Sequence, residues 1–275
     1  ASPALIDRYN RALKHLTGKE TRLEDFHVDI SGYSPEVADE LGDHLYLNQG
    51  GCNQQFILLS TEQRTAPLLS AKFSTSKTIL QKFIAELGLA DVHIVAPDVG
   101  MPVALHYVLH RDHKAKSILI GAGPSVQPSK DGSLVRKMIG SAFWRFVFTM
   151  TGAPAFIGGA NQLGYLKYSP FSAEVTDYVA SYSGRIGPVT KWFNGYPKGC
   201  KDIDPHLATL NVPVHVFWGE QDAFLKAENA EQLHALLPNS ALTVFKNCGH
   251  FCYQDKEVEF TELVRTWVNN GHKLG

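Results

Sequence analysis

The chain has 275 residues, 44% of them hydrophobic and 19% charged, and 26 basic against 27 acidic residues leave a formal net charge of -1. That length buries a sizeable core as one α/β domain carrying an insertion, and the near-neutral balance excludes a protein that works by electrostatic attraction to nucleic acid or an anionic membrane surface. No apolar run reaches the ~18 residues that span a bilayer, and residues 1–19 alternate charged and apolar types where a leader would have an apolar stretch; a soluble, cytoplasmic protein is expected.

In chain order, Pro3 to Leu16 reads as a helix, followed by a charged turn. Short runs with β-branched residues then predict strands at Phe26 to Ile30 (FHVDI), Gln55 to Ser60 (QFILLS), Val92 to Ala96 (VHIVA), Lys116 to Gly121 (KSILIG), Val212 to Gly219 (VPVHVFWG) and Ala241 to Phe245 (ALTVF). Their nearly continuous apolar character suits parallel strands covered on both faces. Helical spacing marks Lys77 to Leu87, Val103 to His110, Asn229 to Leu237 and Lys256 to Val268. The alternation predicts an α/β fold with a doubly wound, mostly parallel sheet. Residues 124–205 break the rhythm: they are rich in aromatics, Gly and Pro, with helical fragments at Val135 to Thr149 and Glu174 to Ser183 and no strand. They read as a helical cap inserted into a core made of residues 1–123 and 206–275, placed to roof a site above the strand ends.

Three residues on strand-end loops carry the chemistry. Val92 to Ala104 (VHIVAPDVGMPVA) is a strand, a tight turn and a helix start, with Asp98 at the apex. Such a turn needs small residues two before and two after the apex, where strand and helix backbones nearly touch, and Ala96 and Gly100 meet that need. Asp98 could equally be the N-cap of the following helix. Asp222 follows the strand ending FWG, and His250 follows the next one in NCGHF; functional groups of open α/β sheets collect at such ends. Cys52, Cys200, Cys248 and Cys252 show no C-x-x-C spacing and are expected to be free thiols, because alternate residues around His250 rarely chelate one ion. No metal and no cofactor are expected.

The elbow APDVG, the WGEQDAF loop, the LLPNSALTVFKNCGHF segment and the closing amphipathic helix resemble the α/β-hydrolase superfamily, over roughly Phe26 to Val268. Within it the chain resembles the branch with an aspartate nucleophile, which holds epoxide hydrolases and haloalkane dehalogenases, where most of the superfamily carries serine. The resemblance implies a catalytic triad with Asp98 as nucleophile, His250 as general base and Asp222 orienting it. It also implies an oxyanion site of backbone N–H groups, from Val99 and from Gly32 and Tyr33 of the SGYS loop, which has Ser31 and Ser34 where the family has His and Pro. Val99 stands where haloalkane dehalogenases have tryptophan, which favours an epoxide hydrolase-like enzyme. Phenols of the cap would then protonate the opening epoxide oxygen: Tyr196 and Tyr165, with Trp192 beside them as a substrate-binding residue.

The expected substrate is a small, mostly apolar molecule with an electrophilic sp³ carbon, attacked to form an alkyl-enzyme ester. No nucleic acid or membrane partner is expected, and a homodimer is left open. Two alternatives stand beside this reading: a lyase or cyclase on the same scaffold using Asp98 as general acid or base, and a non-catalytic ligand-binding homologue.

Overall fold

The four described strands form a parallel sheet ordered as they occur along the chain. The computed structural model describes residues 91–269 together with 80, 81 and 84, apart from the side chains of residues 138, 139, 188, 191, 192, 196 and 198. Strands β1 (Val92–Pro97), β2 (Ala115–Gly121), β3 (Val214–Gly219) and β4 (Ser240–Phe245) pair in the order β1-β2-β3-β4, each parallel to its neighbour. The expected strands at Phe26 to Ile30 and Gln55 to Ser60, the N-terminal helix, and most of the helix at Lys77 to Leu87 lie outside the described residues.

Side chains alternate across a strand, so a doubly covered sheet needs two apolar sets. Ile118 and Ile120 of β2, with Val214, Val216 and Trp218 of β3, pack into one cluster with helices α1 (Gly100–Val108) and α6 (Glu228–Leu236). Leu119 and Phe217, the residues between them, pack into a second cluster with Val264 and Trp267 of the last helix, α8 (Glu257–Asn269). Each such buried apolar side chain contributes about 1.5–3 kcal/mol. A polar strip crosses the second face: the Trp267 indole N–H donates to Ser117 Oγ (2.9 Å), and His215 Nε2 lies 2.9 Å from Thr243 Oγ1.

Between β2 and β3 stand α2 (Ser133–Gly140), α3 (Ala142–Gly164), α4 (Ser172–Tyr182), α5 (Ile186–Cys200) and a 3-10 turn (Asp204–Thr209). The helix expected over Val135 to Thr149 is divided at Ser141, which is extended and whose hydroxyl caps α3 by accepting from Trp144 N. Beyond Thr149 the chain stays helical to Gly164, through a kink at Gly152 (φ +73°, ψ -178°) two residues before Pro154. Proline removes an amide donor and crowds the preceding turn, so it kinks the helix while packing on both sides continues it. Ile157 of α3, Tyr178 and Tyr182 of α4 and Ile186 and Val189 of α5 join the first cluster, tying these helices to the sheet. Among the described residues no helix is long and apolar enough to cross a membrane.

Candidate active site

Because all four strands are parallel, their C-terminal ends share one edge, and the loops after β1, β3 and β4 meet there. Asp98 follows β1 with φ +48°, a left-handed conformation that aspartate tolerates better than most residues with a Cβ. Its amide donates to Gly121 O (2.8 Å) and its carbonyl accepts from Met101 N (3.0 Å), so strand β2 and helix α1 close the turn from either side. A Cβ on Gly123 would lie 2.0 Å from the Asp98 carbonyl oxygen, so the β2 loop can pass only without a side chain. The cap position of α1 is Val99, with no side-chain cap. The first amides of a helix have no intrahelical acceptor, which leaves the Val99 N–H fit to bind an oxyanion.

Asp222 sits in the turn after β3. Main-chain bonds continue the β3–β4 pairing beyond the sheet, from Glu220 N to Phe245 O (3.0 Å) and from Gln221 N to Cys248 O (2.9 Å), and so bring the Asp222 and His250 loops side by side. The Asp222 side chain is fully buried. Its Oδ1 accepts from Phe224 N (2.8 Å) and Leu225 N (2.9 Å), and its Oδ2 lies 2.8 Å from His250 Nδ1. A carboxylate only accepts, so this bond places the proton on Nδ1 and makes Nε2 the basic nitrogen of the ring. His250 Nε2 faces Asp98 Oδ1 at 3.8 Å. That is too long for a hydrogen bond and leaves the two groups to act on a third. The His250 ring is gripped edge-on by Phe224 (5.0 Å, 84°) and Phe251 (4.9 Å, 68°).

Asp98, Asp222 and His250 therefore converge, and Val99 adjoins them. Gly32 and Tyr33 lie outside the described residues, and Trp192 and Tyr196 fall in α5 with side chains that are likewise outside. Tyr165 is buried, its hydroxyl donating to Gln254 Oε1 at 2.6 Å and its ring 4.7 Å from that of Phe251. Cys200, Cys248 and Cys252 are free and buried. Burial, then the neighbouring Cys248, pushes the Cys252 thiol well above its usual range, so it is a packed neutral thiol and not a nucleophile. Among the described residues no group of three or more His, Cys, Asp or Glu is arranged to hold a metal ion. Sequence reasoning missed Asp255, a buried carboxylate five residues after His250; nothing in its spacing distinguishes it from an ordinary charge at a helix start.

A family model described as α/β hydrolase fold matches residues 127–257, and a model for a family of unknown function matches residues 1–102, the stretch that ends just past the elbow. The chain is 23% identical over 213 residues to 2-hydroxy-6-oxononadienedioate/2-hydroxy-6-oxononatrienedioate hydrolase 2 of Pseudomonas putida, covering 73% of this chain and 71% of that protein. It is 31% identical over 197 residues to the corresponding hydrolase 1 of Dechloromonas aromatica, covering 70% and 66%. Among solved structures it is similar to an esterase from Exiguobacterium antarcticum, with TM-score 0.61, 18% identity and coverage of 74% and 76%. The model match and the structural likeness together identify the fold as the α/β-hydrolase fold.

Proposed function

We propose that the protein is a hydrolase in which Asp98 attacks an electrophilic sp³ carbon of a small, mostly apolar molecule, an epoxide being the best-suited class. The observation that carries this reading is the approach of an elbow carboxylate to Nε2 of a buried, aspartate-bound histidine, 3.8 Å apart. A carboxylate oxygen forms the new C–O bond while the epoxide C–O bond breaks, giving an ester on Asp98 and an alkoxide that takes a proton from a phenol. Of the two tyrosines expected to supply that proton, Tyr165 has its hydroxyl on Gln254, which leaves Tyr196, in a helical cap formed by residues 124–205. His250 Nε2 then removes a proton from water as its oxygen adds to the Asp98 carboxyl carbon. The Val99 amide, with a second donor from Gly32 or Tyr33, holds the oxyanion. Collapse expels the ester alkoxide, which takes the proton back from the imidazolium that Asp222 had stabilised and so completes the diol, and the proton left on the Asp98 carboxyl returns to the phenolate.

The names of the relatives favour a second reading, hydrolysis of a 2-hydroxy-6-oxo-dienoate on the same scaffold with His250 activating water directly. Intact-mass measurement separates the two. Wild type, His250→Gln and Asp98→Asn are incubated with a panel of epoxides and alkyl halides, and in parallel with a 2-hydroxy-6-oxo-dienoate. A stable adduct on Asp98 in His250→Gln, absent from Asp98→Asn, is expected. Turnover of the dienoate with no adduct from any epoxide or halide would replace the first reading with the second.

A further inference from the structure

The loop that carries His250 is held from a direction that the triad does not account for. Asp255, at the end of α7 (Cys252–Asp255), is buried, and every hydrogen bond found for its carboxylate comes from a main-chain amide. Oδ1 accepts from Lys167 N (3.0 Å), Tyr168 N (2.9 Å) and, more weakly, Leu166 N (3.2 Å). Oδ2 accepts from Leu166 N (2.9 Å) and from Gly249 N (2.8 Å), the residue before the histidine. On the other side of the histidine, Phe251 N donates to Gly164 O at 3.2 Å. The two backbones are so close that a Cβ on Gly249 would stand 2.4 Å from the Gly164 oxygen. The residues on either side of His250 are thus bound through their amides to the segment 164–168, where helix α3 ends, Gly249 by way of Asp255 and Phe251 directly.

A carboxylate that gathers four amides is an inefficient way to stabilise a surface turn, but it suits a junction. Bonds to a charged acceptor are shorter and about twice as strong as neutral ones, and an acceptor shared by two segments transmits a displacement of one to the other. We infer that Asp255 is a positioning residue: it fixes the His250 loop against the end of α3, so that the imidazole is in register with Asp98 only while that junction is closed. The inference rests on the proposed role of His250 as base. It does not depend on whether Asp98 is alkylated.

Replacing Asp255 by Asn keeps the shape but turns an N–H₂ toward amides that need an acceptor, so one side of the cradle opens. A displacement of ~1 Å at a catalytic group costs on the order of 100-fold in rate. The test compares wild type, Asp255→Asn and Val264→Ala, the last a buried change in α8 that loosens the core without touching the cradle. The first readout is the downfield Nδ1–H proton of His250 in ¹⁵N-histidine-labelled protein, which its 2.8 Å bond to Asp222 is expected to hold in slow exchange. That signal is expected to broaden or vanish in Asp255→Asn and to persist in Val264→Ala. The second is intact mass after incubation with styrene oxide, with His250→Gln as reference. Asp255→Asn is expected to accumulate adduct as His250→Gln does, with its de-alkylation slowed about 100-fold. A His250 signal in Asp255→Asn that superposes on wild type overturns the inference. Absence of adduct even in His250→Gln counts against the nucleophile alone, and the magnetic resonance readout then decides the role of Asp255.

Discussion

Replacing Asp222 by Asn tests the triad at its most constrained point. One Asp222 oxygen accepts two amides, from Phe224 and Leu225, and the other faces His250 Nδ1. In the variant the amide oxygen must take the side with two N–H donors, because an N–H₂ there would confront both. The N–H₂ therefore points at His250, whose Nδ1 has to become an acceptor, and the ring proton moves to Nε2, the nitrogen that faces Asp98. A base protonated at its working atom cannot activate water, and the corresponding change in Ser-His-Asp triads costs about 10⁴-fold. Loss of the charge-assisted bond costs about 1.5–3 kcal/mol of stability, which leaves a folded protein to assay. Rapid-quench single turnovers with an epoxide that labels Asp98 should show alkylation within a few-fold of wild type and ester hydrolysis slowed by about four orders of magnitude. Hydrolysis within about tenfold of wild type would show that the Asp222–His250 bond does not set the tautomer, and the assignment of the base would fall with it.

Gly123→Ala places a methyl 2.0 Å from the Asp98 carbonyl oxygen, so it should displace the elbow, lower stability by about 1–3 kcal/mol and abolish turnover; thermal melts and activity check both. His215 is buried against Trp267, and burial lowers its pKa to about 4. Its neutral form is favoured in the folded state, so its contribution is whole above the unfolded value of about 6.5 and is lost as pH falls toward 4. Denaturant titrations at pH 7.5 and pH 5 should show wild type losing about 1–2 kcal/mol more than His215→Gln, and equal losses would refute the assignment. Tyr165→Phe leaves Gln254 Oε1 without its 2.6 Å partner and should cost about 1–2 kcal/mol in stability while kcat stays within about threefold; a collapse of kcat would return Tyr165 to the substrate.

The sheet was legible because its signal is local. The runs at 92–96, 116–121, 212–219 and 241–245 are apolar, short and flanked by turn residues, and the structure moves their ends by no more than two residues. Each of the residues Asp98, Asp222 and His250 was readable as the polar group just past such a run, so topology alone brought them together. The helices between β2 and β3 were read only in part, because a kinked helix with Gly152 and Pro154 inside it looks like a loop to any local rule; tertiary packing of Ile157 and its neighbours overrides those breakers. Asp255 was invisible for a deeper reason. Its partners are four backbone amides, three of them almost ninety residues away, and no side-chain pattern in the sequence records a backbone partner.

The central claim, that Asp98 is covalently engaged, predicts the fate of one oxygen atom. Water attacks the carboxyl carbon of the ester, so the oxygen that leaves with the product of a first turnover comes from the enzyme. Wild-type protein in excess over a labelling epoxide, reacted once in ¹⁸O-water and digested, should carry the label in the peptide containing Asp98, with the first diol unlabelled. Label wholly in the diol and none in Asp98 would mean that water attacks the substrate directly, and would contradict the account.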